Sequence, residues 1–246
     1  MPPIVERSAV SSGARARGGG ATVLVPVLAA LSAIAIMIAV WLVFTYVPND
    51  KGLFFNQRIF YFHVAHAFMM FAAVGTCGVC SLVFLVKRQP QWDDVALAAA
   101  EVAVAFGAVV LITGSIWAKA AWGLWWTWEK RLTMSLLLWL TLVGYVIVRR
   151  FAGASGDRLA AGLAVFGTVG VPFIYTMVDR SDRHPQAGAN GNAMSLTGPM
   201  RAVFWLSVLA FFLWFLTLVI ARVQSARAER ELRELRERAL DAGVLS

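Results

Sequence analysis

The residues of this chain best suited to chemistry are its histidines and one cluster of tryptophans. The 246 residues include only three histidines, His63, His66 and His184, and four of the ten tryptophans fall within seven residues of the segment Trp122–Arg131. A neutral imidazole is a common ligand for transition metals and for haem iron. An indole ring offers a broad, flat apolar surface with a polar edge. Together these residue types favour a site for a planar macrocycle such as haem.

We call Trp122–Arg131 the Trp-rich segment. Its tryptophans are Trp122, Trp125, Trp126 and Trp128. If the segment is helical, one face would carry Trp122, Trp125, Trp126 and Glu129, because residues three and four apart are neighbours on a helix. Trp128 would not belong to this face. The alternative is an aromatic belt, because tryptophan favours the headgroup region of a bilayer. A belt spreads over many helix ends, but the residues alone leave both explanations open.

The elements that must position these residues are predicted to be membrane helices. Hydrophobic residues make up 59% of the chain and charged residues 15%, with a mean hydropathy of +0.70, whereas soluble domains are about a quarter charged. Six apolar segments are long enough to cross the hydrocarbon core as helices. They are Ala21–Val47, Ile59–Val86, Val95–Trp117, Leu132–Val148, Leu159–Val178 and Ala202–Ala221. We therefore expect an all-α, polytopic membrane protein with six transmembrane helices.

Charge predicts how this bundle is divided and oriented. Residues 1–20 are expected to form a disordered cytoplasmic tail, 21–222 a six-helix transmembrane domain, and 223–246 a charged cytoplasmic C-terminal helix. Residues 1–20, the chain from Arg222 onward and the loops at 87–94 and 149–158 together carry 14 of the 22 Lys and Arg residues. The positive-inside rule then places both termini in the cytoplasm. The net charge of +8 is explained by these basic segments, so we expect no nucleic-acid partner.

In this orientation the loops at 48–58, 118–131 and 179–201 face outward. They carry the Trp-rich segment and His184, and His63 lies near the outer end of the second span. A lone histidine in a membrane helix is most often a hydrogen-bonded packing residue. Two imidazoles on the same side could instead fill both axial positions of haem iron. His66 lies one turn deeper and is expected to bond near the site or simply to pack.

Charged side chains on the outward side are candidates for contact with the haem propionates. Arg131 is the best placed of them because it directly follows the tryptophans, and arginine makes strong charge-assisted bonds to carboxylates. Most of the others, Arg58 and Lys119 among them, are expected to be solvated or to contact lipid headgroups.

Polar residues on the other side have structural interpretations. Asp93, Asp94 and Asp157 stand just before their spans, where they are predicted to cap helix N-termini. Glu101 lies a short way into its span and is expected to pair with a basic side chain or to extend to the headgroup region.

Two further patterns are also interpreted as structural. Cys77 and Cys80 form a C-x-x-C pair inside an apolar segment and are expected to act as small packing residues. The C-terminal tail alternates Arg and Glu, with helical spacing in the pairs Glu229/Arg233 and Glu234/Arg238. It is interpreted as a solvated extension of the last helix, with contact to a partner subunit as the alternative.

The Trp-rich segment, W-G-x-W-W-x-W-[D/E]-x-R, resembles the signature of the CcmC/CcmF/CcsA family of haem-handling proteins in cytochrome c biogenesis. The chain length, the six spans and the flanking Gly114–Ala120 are most like the CcmC branch, over roughly residues 35–222. The sequence departs from the family pattern at three positions: Ala65 replaces Pro, Phe68 replaces Trp, and Glu129 replaces the usual Asp.

The resemblance implies a site and a function. His63 and His184 would be the axial ligands of non-covalent haem b, the four tryptophans would line the macrocycle, and Glu129 and Arg131 would border it. The protein would present haem at the periplasmic face of the bacterial inner membrane and pass it to the chaperone CcmE. CcmD, the ABC transporter CcmAB and the lipid bilayer would be its partners. No independent enzymatic activity is expected.

Three other functions stay open at this point. A membrane-embedded haem redox carrier would need a second redox centre or a quinone site. A haem transporter or permease subunit would need polar residues at the midplane of several spans. A structural subunit with an aromatic belt would bind no pigment.

Overall fold

Six long helices make up most of the part of the chain that the structure describes. A computed structural model describes residues 19–49, 54–152, 156–177, 196 and 198–244. The helices are α1 (Gly19–Thr45), α2 (Ile59–Lys87), α3 (Pro90–Trp122), α4 (Lys130–Phe151), α5 (Gly156–Met177) and α6 (Gly198–Asp241), and a 3-10 turn, Phe55–Arg58, precedes α2. In this part of the chain all six helices are long and apolar enough to cross a membrane. The predicted six-span, all-α membrane fold is thereby confirmed.

The central unit of the bundle is the antiparallel pair α2–α3. A two-residue connection joins them, with Arg88 in the left-handed region at φ 56° and its N–H bonded to the carbonyl of Phe84 at 2.8 Å. Helix α6 packs on α1, α2 and α3, and α5 packs on α2 and α4. The largest buried cluster lies between them, with Met69 and Met70 of α2, Phe106 of α3 and Phe211 of α6 among its members.

Helix α1 lies at the edge of the bundle and packs mainly on α6. Its apolar side chains are largely uncovered by protein, and Trp41, for example, is 63% exposed. A helix that is apolar on its uncovered side is stable only where lipid covers it. This surface therefore agrees with a multi-pass membrane protein.

The two ends of the bundle differ in chemistry. Because α3 runs from Asp93 and Asp94 to Trp122, these acidic residues and the Trp-rich segment lie at opposite ends. We call them the ion-pair end and the Trp end. At the ion-pair end Arg149 of α4 bonds Asp93 at 2.5 Å and also bonds Asp157 of α5.

The predicted capping role of Asp93 and Asp94 is wrong. Helix α3 begins at Pro90, with Gln89 as its N-cap residue, so both carboxylates lie within the helix. Proline suits the first helical position because its missing N–H is not needed there. Asp157 likewise lies in the first turn of α5. The carboxylates instead bind arginines of other helices, Asp94 pairing with Arg230 of α6 at 3.0 Å.

Glu101 is paired, as expected. It accepts a bond from Arg150 of α4 at 2.9 Å and another from Arg222 of α6. Arg222 also bonds Glu229 at 3.0 Å, and the predicted pair Glu234–Arg238 is present at 3.8 Å. The charged tail thus continues α6 and is partly tied back to the bundle rather than wholly solvated.

The two cysteines behave as packing residues. Cys77 and Cys80 are buried free thiols, and they pack with alanines of α3 and α5 and with Tyr145 of α4. This arrangement agrees with the structural interpretation of the C-x-x-C pair.

Candidate functional site

The middle of the Trp-rich segment, residues 123–129, is an irregular connection between α3 and α4 and not a helix. Helix α3 ends at Trp122, and Gly123 follows in the left-handed conformation at φ 76°, with its N–H bonded to the carbonyl of Lys119 at 3.0 Å. Glycine adopts this conformation readily and commonly ends helices in this way. The next helix begins only at Lys130. The single helical face considered for Trp122, Trp125, Trp126 and Glu129 therefore does not form.

The irregular backbone presents some indole rings outward and holds another inward. Trp125 and Trp128 are 60% and 77% exposed, and Trp126 lies half-buried in edge-to-face contact with Trp128 at 5.9 Å between ring centroids. Nε1 of Trp126 and Oγ1 of Thr127 are buried and have no hydrogen-bond partner among the described residues. A buried polar atom left without a partner costs about 1–3 kcal/mol. Water or a bound polar group can satisfy these two atoms.

Lys119 holds the first turn of the segment in place. Its Nζ donates to the carbonyl of Gly123 at 2.9 Å and lies 5.9 Å from the centroid of the Trp125 ring. Trp117 and Trp122, which flank Lys119 in the last turns of α3, make an edge-to-face contact at 5.0 Å. The Lys119 ammonium thus bonds the turn while its side chain stays exposed, which agrees with the expected solvated position.

His63 lies at the same end of the α2–α3 pair as the Trp-rich segment. Its Nδ1 is 2.9 Å from Oγ1 of Thr113 on α3. Trp122 is nine residues further along α3, about 14 Å at the rise of an α-helix. Gly114 borders the imidazole, since a Cβ atom built on it would lie 3.1 Å from Cε1 of His63. Sequence reasoning missed Thr113 and Gly114 as neighbours of His63.

His66 is packed among aromatic rings. Its Nδ1 is 2.7 Å from the carbonyl oxygen of Phe62 one turn earlier, and its ring lies 4.2 Å from Phe211 and 5.3 Å from Phe106 between centroids. This environment fits the packing explanation. The structure thus separates two histidines that the sequence shows as near equivalents.

Arg58 also departs from its expected role. It is only 8% exposed and lies at the end of the 3-10 turn. Its guanidinium donates to the carbonyl oxygens of Val43 at 3.1 Å and Val47 at 3.4 Å, and to Oδ1 of Asn49 at 2.5 Å. The expectation of a solvated or lipid-bound charge is therefore wrong, because the guanidinium donates hydrogen bonds to backbone carbonyls at and just after the C-terminal end of α1.

The remaining predicted site residues lie at the start of α4 or outside the described residues. Glu129 is the N-cap residue of α4, and its carbonyl accepts the N–H of Thr133 at 3.0 Å. Arg131 lies in the first turn and is half-buried. His184 falls outside the described part of the chain. The structure thus brings His63 and the Trp-rich segment to one end of the bundle, with Arg131 beside the tryptophans.

Comparison with known proteins places this arrangement in a family. The profile of the CcmC family, described as heme exporter protein C, matches residues 15–238. Heme exporter protein C of Bradyrhizobium diazoefficiens is 31% identical over 76% of this chain and 73% of the relative. The Escherichia coli K12 protein of that name is 29% identical over 80% of this chain and 81% of the relative. The Paracoccus denitrificans protein is 31% identical over 76% of this chain and 80% of the relative. The chain therefore belongs to the CcmC family.

Proposed function

We propose that the protein binds haem b non-covalently at the Trp end and hands it to the periplasmic chaperone CcmE during c-type cytochrome maturation. Membership of the CcmC family supports a role in haem handling for cytochrome c maturation. The observation that carries the proposal is the irregular Trp-rich segment, whose exposed rings lie at the end of the α2–α3 pair that also holds His63.

The described residues fit haem as a cargo. The exposed faces of Trp125 and Trp128 offer flat apolar surface, and the buried Nε1 of Trp126 and Oγ1 of Thr127 need polar partners. A haem group carries a flat apolar ring that matches these indole faces and polar propionates that can accept hydrogen bonds. Trp122 extends this surface from the end of α3.

In this proposal His63 and His184 are the axial ligands of the iron. Arg131 engages a propionate, because a guanidinium binds a carboxylate with two parallel hydrogen bonds. Glu129 lies between the tryptophans and Arg131 and orients this end of the segment. These assignments rest on the match of the residues to the family signature and on the position of His63.

The proposed orientation places both termini in the cytoplasm and the Trp end in the periplasm. It is supported by the arginines at the opposite end of the bundle, where Arg149, Arg150 and Arg222 bind acidic residues of α3. Basic residues concentrate on the cytoplasmic side of inner-membrane proteins. CcmD and the ABC transporter CcmAB are the proposed partners within the same membrane.

Absorbance spectra of the purified protein test the ligand assignment. The wild type is expected to show a six-coordinate haem spectrum that His63→Ala and His184→Ala each weaken. His66→Ala serves as the comparison, since its ring packs against phenylalanines, and it should retain the spectrum in the protein that remains folded. An unchanged spectrum in both ligand variants would refute the assignment.

Transfer needs a separate test. Haem-loaded protein is mixed with haem-free CcmE, the two are separated, and haem is measured in each. Movement of haem to CcmE is expected, and haem that stays wholly with the membrane protein in the presence of CcmAB, CcmD and ATP would contradict the transfer step.

A further inference from the structure

We propose that Thr113 is a positioning residue that sets the tautomer of His63, so that Nε2 carries the lone pair offered to iron. The inference rests on the proposed function, because it matters to haem only if His63 is a ligand. It follows from hydrogen bonds within the described part of the chain.

The direction of the Thr113 hydrogen bond follows from proton counting. Oγ1 of Thr113 lies 2.7 Å from the carbonyl oxygen of Val109 on its own helix and 3.4 Å from that of Val110. A carbonyl can only accept, so the single hydroxyl proton points to Val109, the common back-bond of threonine in helices. The oxygen then meets Nδ1 of His63, 2.9 Å away, as an acceptor.

This arrangement assigns the proton of the imidazole. A neutral histidine has one N–H and one lone pair on its two ring nitrogens. Because Thr113 accepts, Nδ1 of His63 must donate. The lone pair therefore lies on Nε2, which can coordinate a metal without first losing a proton. A partner that orients a ligating histidine in this way typically changes metal affinity by about 10- to 100-fold.

The position of the ring is also set from α3. Gly114 follows Thr113, and a Cβ atom there would lie 3.1 Å from Cε1 of His63, closer than most side-chain contacts. Thr113 thus sets which nitrogen donates, while Gly114 leaves room for the ring beside the helix. The bond at His66 differs, because its Nδ1 meets the carbonyl of Phe62 within α2 and is independent of α3.

The first measurement is the tautomer in haem-free protein. Nitrogen-15 NMR of histidine-labelled protein distinguishes Nδ1–H from Nε2–H, and loss of a signal in His63→Ala assigns it. His63 is expected as Nδ1–H in the wild type and in Thr113→Ser, which keeps the hydroxyl. Thr113→Val, which replaces the hydroxyl with a methyl group, should increase the Nε2–H form. An unchanged tautomer in Thr113→Val would overturn the inference.

The second measurement is haem affinity by absorbance titration. Thr113→Val is expected to weaken ferric haem binding by about 10- to 100-fold, and Thr113→Ser should restore most of it. Thr141→Val is the matched control, because within the described residues the Thr141 hydroxyl bonds only the carbonyl of Leu137, at 2.8 Å, and its loss should leave affinity unchanged. Thr113→Ala is measured in parallel. If both variants bind haem more weakly, the loss of affinity follows from the missing hydroxyl and not from misfolding of one variant.

The two proposals fail in different ways. If His63→Ala binds haem as tightly as the wild type, the ligand assignment falls. If His63→Ala loses haem while Thr113→Val and Thr113→Ala keep both affinity and the Nδ1–H tautomer, the assignment stands and the role of Thr113 is refuted.

Discussion

The Thr168 hydroxyl of α5 lies 3.1 Å from the carbonyl oxygen of Val74 on α2, a close polar contact between two membrane-spanning helices. The same oxygen lies 2.9 Å from the carbonyl of Ala164 on its own helix. Gly78, one turn after Val74, permits this approach, because a Cβ atom there would overlap Thr168. Lipid provides no hydrophobic force between helices, so small residues and close packing hold such pairs together.

Replacing Gly78 should therefore weaken the fold. In Gly78→Ala the new methyl group must displace Thr168, at a cost of about 1–3 kcal/mol typical of overpacking. Gly75→Ala is the control, since a Cβ atom at Gly75 meets nothing within 4 Å. Unfolding by sodium dodecyl sulfate, followed by circular dichroism in detergent, measures both. Equal stability of the two variants would show that α2 and α5 are not in close contact here.

The carboxylate of Glu101 should contribute more to stability than one in the tail. Glu101→Gln leaves Arg150 and Arg222 without their common anion, and the loss of these charge-assisted hydrogen bonds should cost about 1–3 kcal/mol. Glu234→Gln is the control, because that carboxylate is 46% exposed and exposed pairs contribute about 0–1 kcal/mol. The same unfolding assay compares them. A greater loss in Glu234→Gln would contradict the central role of Glu101.

Arg58 should stabilise the end of α1. Arg58→Lys keeps the charge but cannot reach the carbonyls of Val43 and Val47 and the side chain of Asn49 together, since a lysine lacks the planar fork of donors. We expect a loss of about 1–3 kcal/mol from the carbonyls left without their donor. Thermal unfolding measures the loss, with the exposed Arg236→Lys as control. A variant as stable as the control would show that the three bonds contribute nothing.

The haem affinities of two tryptophan variants, Trp128→Ala and Trp41→Ala, should distinguish a haem-binding surface from an aromatic belt. Trp128→Ala should lower haem affinity, because the ring is proposed to contact the macrocycle. Trp41→Ala removes a similarly exposed ring near the same end of the bundle, on α1, and should leave haem affinity unchanged. Absorbance titration with ferric haem measures both. An equal effect of the two substitutions, or none, would favour the belt.

The sequence by itself determined the six spans and the family. A helix that crosses a membrane must satisfy all of its backbone hydrogen bonds within one continuous apolar segment. Hydropathy alone therefore located α1 and α2 to within a few residues. The ends of α3 were missed, although Pro90 and Gly123 are ordinary start and stop signals. The tryptophan spacing was enough to identify the family, because that pattern lies within one short stretch of the chain.

Only the tertiary structure decided which polar groups meet. Fifty residues separate His63 from Thr113, and Glu101 and Arg222 are more than a hundred residues apart. Such contacts depend on the rotation and vertical register of each helix, which are set by packing at small residues such as Gly78 and Gly114. For the same reason Arg58 and His66 could not be assigned from spacing, since either position is equally consistent with a site or with the core until the neighbouring helices are in place.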